Sequence, residues 1–310
     1  MNKDSVSEKV RIEIQNRPFA PIFVNGEGPY WFLLETGTHT SGLSPEVAQV
    51  LQLKREEYPS PSNMQFYVYV VEFSIGKLKW KHVVHEGDET YLNASRKMIG
   101  KHVEGALGYI FLKDLRATIN YPGETLVVEG REGLEETVHL TSRDLIQLRL
   151  QDWEDLKRMR PPSLDQIFAK EHERQLRDQH EVPMPLVFGD PMVPVFVNGE
   201  GPYQFFLDTG ASRCIISPEV AQSLQLPRGK TGAGRGLTGN GQERLFSYYT
   251  STARTLTVGK AECLNLEVSV GDCSEASMRL RCRVDGYLGT NFLKEFSVTI
   301  DCPRRTLALQ

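Results

Sequence analysis

An internal duplication constrains this 310-residue chain more than any other feature of it. Pro18 to Leu53 lies on Pro191 to Leu226 without a gap, at a constant offset of 173, and 23 of the 36 paired residues are identical. The shared centre is Phe-Val-Asn-Gly-Glu-Gly-Pro-Tyr, at Phe23 to Tyr30 and again at Phe196 to Tyr203. Near the end of each half the match resumes at an offset of 181, with Leu107 to Val127 lying on Leu288 to Ala308. A solenoid stacks several short units. Two large copies, each about 110 to 125 residues long, imply two lobes of one fold, the second with eight extra residues in its middle.

Charge and composition exclude several function classes. Thirty-six Lys and Arg against forty Asp and Glu leave a formal charge of −4, without the basic footprint that nucleic-acid binding needs. Apolar runs such as Phe66 to Val71 are far shorter than the ~18 residues of a membrane span. No nucleic acid and no membrane are therefore expected as partners. The first residues, Met1 to Lys9, lack the apolar centre of a secretory leader, so a cytoplasmic location is the expectation. Five cysteines (Cys214, Cys263, Cys273, Cys282, Cys302) all fall in the second half. That odd number reads as reduced thiols, with a Cys273–Cys282 bridge as the alternative. No Cys-x-x-Cys pair suggests structural zinc, and neither a metal nor a cofactor is expected.

Local signals within each copy are β. Val195 to Val197 leads through an Asn-Gly turn into Tyr203 to Leu207, a hairpin pattern that Pro21 to Leu34 repeats. Ser217-Pro218 offers an N-cap followed by proline at the first helical position. Further strands are expected at Tyr67 to Ile75, Leu245 to Val258, Leu264 to Val270 and Phe296 to Leu309. Between the copies the chain turns charged and helical. Ser142 caps a helix that places Leu145, Ile146, Leu148, Trp153, Leu156 and Met159 on one face, and Pro161-Pro162 ends it. Ser163 and Gln166 form a capping box for a second helix through about Gln179.

The chemistry-bearing motif follows the second strand of each copy. Copy two reads Leu207-Asp208-Thr209-Gly210-Ala211-Ser212, and downstream stands Tyr287-Leu288-Gly289-Thr290-Asn291. An apolar strand, Asp-Thr-Gly, a glycine-rich middle and a late apolar-Gly element together resemble the retropepsin-like aspartic peptidases. The resemblance covers both copies. It implies a mainly β fold: two tandem retropepsin-like β-barrel lobes in a bilobal, pepsin-like arrangement, joined by a helical connector. The lobes span 10–129 and 185–310, and the connector 130–184.

In such a family each lobe supplies one carboxylate, and the pair shares a proton around one water. The resemblance assigns catalysis to Asp208 and Glu35, loop support to Thr209, Gly210, Thr36 and Gly37, and a structural brace to Leu288, Gly289, Leu107 and Gly108. Copy one departs at the acid itself, reading Leu34-Glu35-Thr36-Gly37. Its extra methylene displaces the carboxylate by about one bond length, enough to matter where ~1 Å costs about a hundredfold in rate.

The glycine cluster from Gly232 to Gly241 contains Gly-x-Gly-x-x-Gly, yet a strand follows it where a dinucleotide site needs a helix. Its expected role is a flap that, with Ala211, contacts substrate through Gly236, Leu237, Thr238 and Gly239. Copy one has Pro59 to Asn63 at the comparable place, so a single flap is expected. His82 and His85, three apart in a strand, face opposite ways and make a poor metal pair. His39 reads as a loop histidine, and Asn93-Ala94-Ser95 as a chance sequon. Tyr67, Tyr69, Tyr248 and Tyr249 read as packing.

The expected function is an aspartic endopeptidase acting on protein or peptide substrates, monomeric rather than homodimeric, with a Glu35/Asp208 dyad. Two alternatives stand beside it: a homodimer with an Asp208/Asp208 dyad, and a non-catalytic peptide-binding pseudopeptidase.

Overall fold

The computed structural model describes residues 6–38, 40–58, 66–86, 103–130, 158, 163–169, 173–237 and 243–310. In both copies the Asn-Gly pair forms the hairpin expected of it. Asn25 and Gly26 take φ of 52° and 84°, and Asn198 and Gly199 take 52° and 83°. Positive φ at both central residues is the mirror-image turn whose twist matches the flanking strands. Pro18–Val24 thus pairs with Glu27–Leu34, and Asp190–Val197 with Glu200–Leu207.

Each hairpin seeds an eight-stranded sheet. In the first lobe the order is Glu13–Ile14, Pro18–Val24, Glu27–Leu34, Gly105–Leu107, Gly42–Leu43, Leu78–Glu86, Phe66–Ile75, Glu56–Tyr58. In the second it is Leu186–Val187, Asp190–Val197, Glu200–Leu207, Gly286–Leu288, Ile215–Ile216, Ala261–Gly271, Glu243–Val258, Thr231–Leu237. An added pairing in each, Phe23 with Ser74 and Phe196 with Thr257, curls the sheet back on itself. The enclosed space is filled by side chains such as Phe32 and Phe73, whose rings meet edge-on at 5.5 Å. Phe205, the repeat equivalent of Phe32, is fully buried in the second lobe. The helices Pro45–Val50 and Pro218–Ser223 start as their sequences dictate: Ser44 and Ser217 accept hydrogen bonds from the amides of Val47 and Val220.

A six-stranded sheet joins the two lobes, in the order Ser7–Arg11, Thr125–Gly130, Leu115–Asn120, Ser297–Asp301, Thr306–Leu309, Glu181–Pro183. At its centre the repeat-equivalent residues Thr118 and Thr299 face each other, with their hydroxyls 2.9 Å apart.

Two expectations need correction. Phe296 to Leu309 is a hairpin of Ser297–Asp301 and Thr306–Leu309, because Pro303 lacks the N–H to continue a ladder and Asp301 Oδ1 instead accepts from the Arg304 amide. The helix after Ser163 is broken into Leu164–Ile167 and Glu173–Asp178, and the Ser163 side chain makes no capping bond. Burial of Leu164, Phe168 and Leu176 in a small apolar cluster of the second lobe outweighs the helical pattern there. All five cysteines are free thiols, as their odd number suggests, and the alternative Cys273–Cys282 bridge does not form. The expected connector helix after Ser142 lies outside the described residues apart from Arg158, which is helical. Among the described residues no helix is long and apolar enough to cross a membrane.

Candidate active site

Each acid sits where its strand leaves the sheet. Leu34 runs parallel to Leu107 and Leu207 to Leu288, and the next amides, of Glu35 and Asp208, donate to the carbonyls of Leu107 and Leu288 at 3.0 Å. Beyond the brace strands, the Tyr109 amide donates to Thr38 O at 2.7 Å and the Thr290 amide to Ala211 O at 2.8 Å. The brace passes so close that a Cβ on Gly108 would lie 2.3 Å from Thr40 O, and one on Gly289 2.5 Å from Arg213 O. Only glycine tolerates that approach.

The two loops are locked to each other by reciprocal hydrogen bonds. Thr36 Oγ1 donates to Leu207 O at 2.7 Å and accepts from the Thr209 amide at 3.0 Å. Thr209 Oγ1 donates to Leu34 O at 2.7 Å and accepts from the Thr36 amide at 3.0 Å. Both threonines are buried, so every one of these bonds satisfies a group that water does not reach.

With the loops so fixed, each carboxyl lies against the opposite glycine. A Cβ built on Gly37 would come within 2.5 Å of Asp208 Oδ1, and one on Gly210 within 2.8 Å of Glu35 Oε1. Asp208 Oδ1 accepts from the amides of Gly210 at 2.9 Å and Ala211 at 3.0 Å. Burial raises the Asp208 pKa above the ordinary carboxylate range, opposed by Arg17, the two amides and Arg279. Glu35 is 9% exposed.

Over the second lobe, Thr231–Leu237 and Glu243–Val258 pair from Thr231 with Tyr249 to Leu237 with Glu243. Gly236 and Leu237 belong to this hairpin, while Thr238 and Gly239 lie outside the described residues. The glycine cluster has a packing reason. The ring of Tyr248 lies across Gly232 and that of Phe246 across Gly234, where added Cβ atoms would sit 2.9 and 2.4 Å from ring carbons. Aromatic side chains thereby cover the bare backbone of the facing strand. The first lobe holds a shorter pairing at the same place, Glu56–Tyr58 with Phe66–Ile75, so the difference between lobes is one of length in the described strands.

His82 is buried against the Phe73 ring, and no group of three His, Cys, Asp or Glu among the described residues could hold a metal. His39 and Asn93 lie outside the described residues. Tyr69 is buried and donates to Glu86 Oε2 at 2.5 Å, while the Arg55 guanidinium stacks 3.5 Å from the Tyr67 ring centroid.

Sequence reasoning missed several groups around the loops. Ser41 Oγ and Cys214 Sγ, at equivalent positions, accept from the brace amides of Gly108 and Gly289 at 3.2 and 3.3 Å. Burial pushes the Cys214 thiol up to about 12, so it acts there as a neutral acceptor. The repeat offset of 173 already aligned the two residues. Arg17, Asp190 and Arg279, the charged groups near Asp208, were also missed.

Residues 193–292 match the family described as aspartyl protease. Among solved structures, a retropepsin-like aspartic protease from Rickettsia conorii is similar at 19% identity and a TM-score of 0.29, covering 41% of this chain and 93% of that one. Basic 7S globulin from soybean is similar at 10% identity and a TM-score of 0.46, covering 98% and 96%. No curated protein matches. The aspartyl protease match thus falls within the second lobe, and the first lobe repeats that lobe's strand order and its Thr-Gly loop.

Proposed function

We propose that the chain is an aspartic endopeptidase whose dyad, Glu35 and Asp208, meets across an intrachain pseudo-twofold axis. One carboxylate takes a proton from the attacking water. The other, protonated, polarises the peptide carbonyl and then gives its proton to the leaving amine. Two carboxyls in one site cannot both ionise, so they share a proton and titrate as a pair. The observation that carries the reading is the reciprocal Thr36/Thr209 lock, which sets each acid against the other lobe's glycine. The facing of Thr118 and Thr299 at the centre of the shared sheet supports the same axis.

Because the lock is made within one chain, the reading is a monomer, with lobes at 10–129 and 185–310 around a connector at 130–184. Thr36, Gly37, Thr209 and Gly210 hold the loops, while Leu107, Gly108, Leu288 and Gly289 brace them. Ala211, the hairpin residues Gly236 and Leu237, and the following Thr238 and Gly239 receive the substrate. The test is a peptide-library digest across acid and neutral pH with wild type, Asp208→Asn and Glu35→Gln. Both variants lose cleavage on this reading, and survival of activity in the glutamate variant rules it out.

A further inference from the structure

The hairpin registers hold a difference between the lobes beside the acids themselves. In the first lobe Phe19 pairs with Leu33, and the same register carried two residues further sets Arg17 opposite Glu35. In the second, Met192 pairs with Phe206, and the same step sets Asp190 opposite Asp208. One lobe thus presents a cation at a position where the other presents an anion. Among the described residues Arg17 makes no ion pair, and it is half-buried. Asp190 is 1% exposed, and its Oδ2 holds the Nη1 of Arg279 while Oδ1 has no hydrogen-bond partner.

Arg279 comes from the helix Ser274–Leu280, in the segment that joins strand Ala261–Gly271 to the brace strand Gly286–Leu288. Its guanidinium lies 5.9 Å from the ring centroid of Phe206, two residues before Asp208, and Phe206 packs edge-on against Tyr287 at 5.6 Å. Its side chain remains 40% exposed. The arginine is therefore anchored by a carboxylate that water does not reach, and its remaining donors are open. A planar fork fixed in this way suits bidentate capture of a second carboxylate. Neutralising Asp190 is one role for the pair. The surroundings argue for more, since the charge left on the acid pair and that on Asp190 would repel an acidic peptide were Arg17 and Arg279 not acting on Asp208 and Arg279 on Asp190.

We propose that the cleft selects peptides carrying a Glu or Asp side chain close to the scissile bond, received by Arg279 on its Asp190 anchor, with Arg17 adding positive field from the first lobe. The reaction in this proposal rests on the peptidase reading above; the recognition rests on the ion pair.

The experiment compares kcat/KM for peptides that differ only by Glu against Gln at each position around the cleaved bond. Wild type should favour Glu at one position by about tenfold to a hundredfold, the worth of a charge-assisted hydrogen bond. That ratio should fall toward one in Arg279→Gln and in the paired Asp190→Asn/Arg279→Gln variant, which leaves no buried charge uncompensated. Arg279→Lys should keep part of it. A ratio near one in wild type, or a ratio retained in the paired variant, overturns the proposal while leaving the peptidase reading in place. If no peptide is cut, the peptidase reading falls, and binding of the same labelled peptides to Asp208→Asn protein decides. Tighter binding of the Glu peptide that disappears with Arg279 supports the recognition, and equal binding overturns it.

Discussion

The two lobes share their hairpin, caps, brace and loop, yet they surround their acids differently. In the first, the hairpin register carried on sets Glu35 opposite Arg17. In the second, the same step sets Asp208 opposite Asp190, which Arg279 of the helix Ser274–Leu280 clamps. The difference teaches that duplication preserved the backbone machinery that places two carboxyls, while charge around them diverged. Among the described residues the first lobe has the shorter facing strand pairing, and the second the longer one with its aromatic-covered glycines.

The largest effect is expected where the lobes touch. Gly37→Ala and Gly210→Ala would drive a methyl into Asp208 and Glu35 respectively, at 2.5 Å from Asp208 Oδ1 and 2.6 Å from Glu35 Cγ. Each carboxyl must then move by about 1 Å, which should lower kcat about a hundredfold or more. Steady-state kinetics on a cleaved peptide measure it. Unequal losses would show that one lobe's loop yields more readily than the other's.

Next come the threonines. Thr36→Val and Thr209→Val each strip a donor from a buried carbonyl and an acceptor from a buried amide. Each should destabilise the fold by about 2 to 3 kcal/mol in urea unfolding. Equivalent loops predict equal losses. A larger loss at Thr209 would point to Thr290, whose hydroxyl donates to Thr209 O at 3.0 Å and whose counterpart in the first lobe is Tyr109.

How much of this was legible in the sequence depends on distance along the chain. Asn-Gly turns and Ser-Pro caps act within a few residues, so Asn25-Gly26, Asn198-Gly199, Ser44 and Ser217 announce their elements locally. The acid loops were legible because the repeat shows them twice. The clamp of Asp190 by Arg279 was not, since it joins residues 89 apart and follows from register that a sequence does not display. The break at Phe168 was hidden for a similar reason: Leu164, Phe168 and Leu176 follow their burial in the second lobe rather than the helical period. The glycine cluster was visible, but its purpose required knowing which aromatic faces which glycine.

A smaller effect is expected from making the acids alike. Glu35→Asp would let the first loop copy the Asp208 arrangement, because both loops are held by the same threonine bonds and brace. Cleavage should persist within about tenfold of wild type, less than the cost of a misplaced carboxyl. A collapse of kcat would mean that the cleft has been rebuilt around the longer side chain, and the lobes would then differ in shape as well as charge.

The smallest effect concerns pH, where the lobes oppose each other. Burial lowers His85 of the first lobe to about 4, so the fold keeps it neutral while the unfolded chain protonates it near its ordinary value of 6.5. Its contribution to stability is present above pH 6.5 and is lost as pH falls through about 4. Asp190 of the second lobe is raised by burial from 3.8 to about 6, against the pull of Arg279. Its contribution is present below pH 3.8 and is lost as pH rises through about 6. Between these limits each site tilts stability by up to about 1.4 kcal/mol per pH unit, with opposite sign. The two tilts offset each other in wild type. Asp190→Asn should therefore turn the urea-midpoint profile between pH 4.5 and 6 toward rising with pH, and His85→Gln should turn it toward falling. Buried Asp208 and Asp285, raised in the same direction as Asp190, strengthen the second of these slopes. Profiles that keep one slope in both variants would break the opposition, leaving the charge difference between the lobes without a consequence for stability.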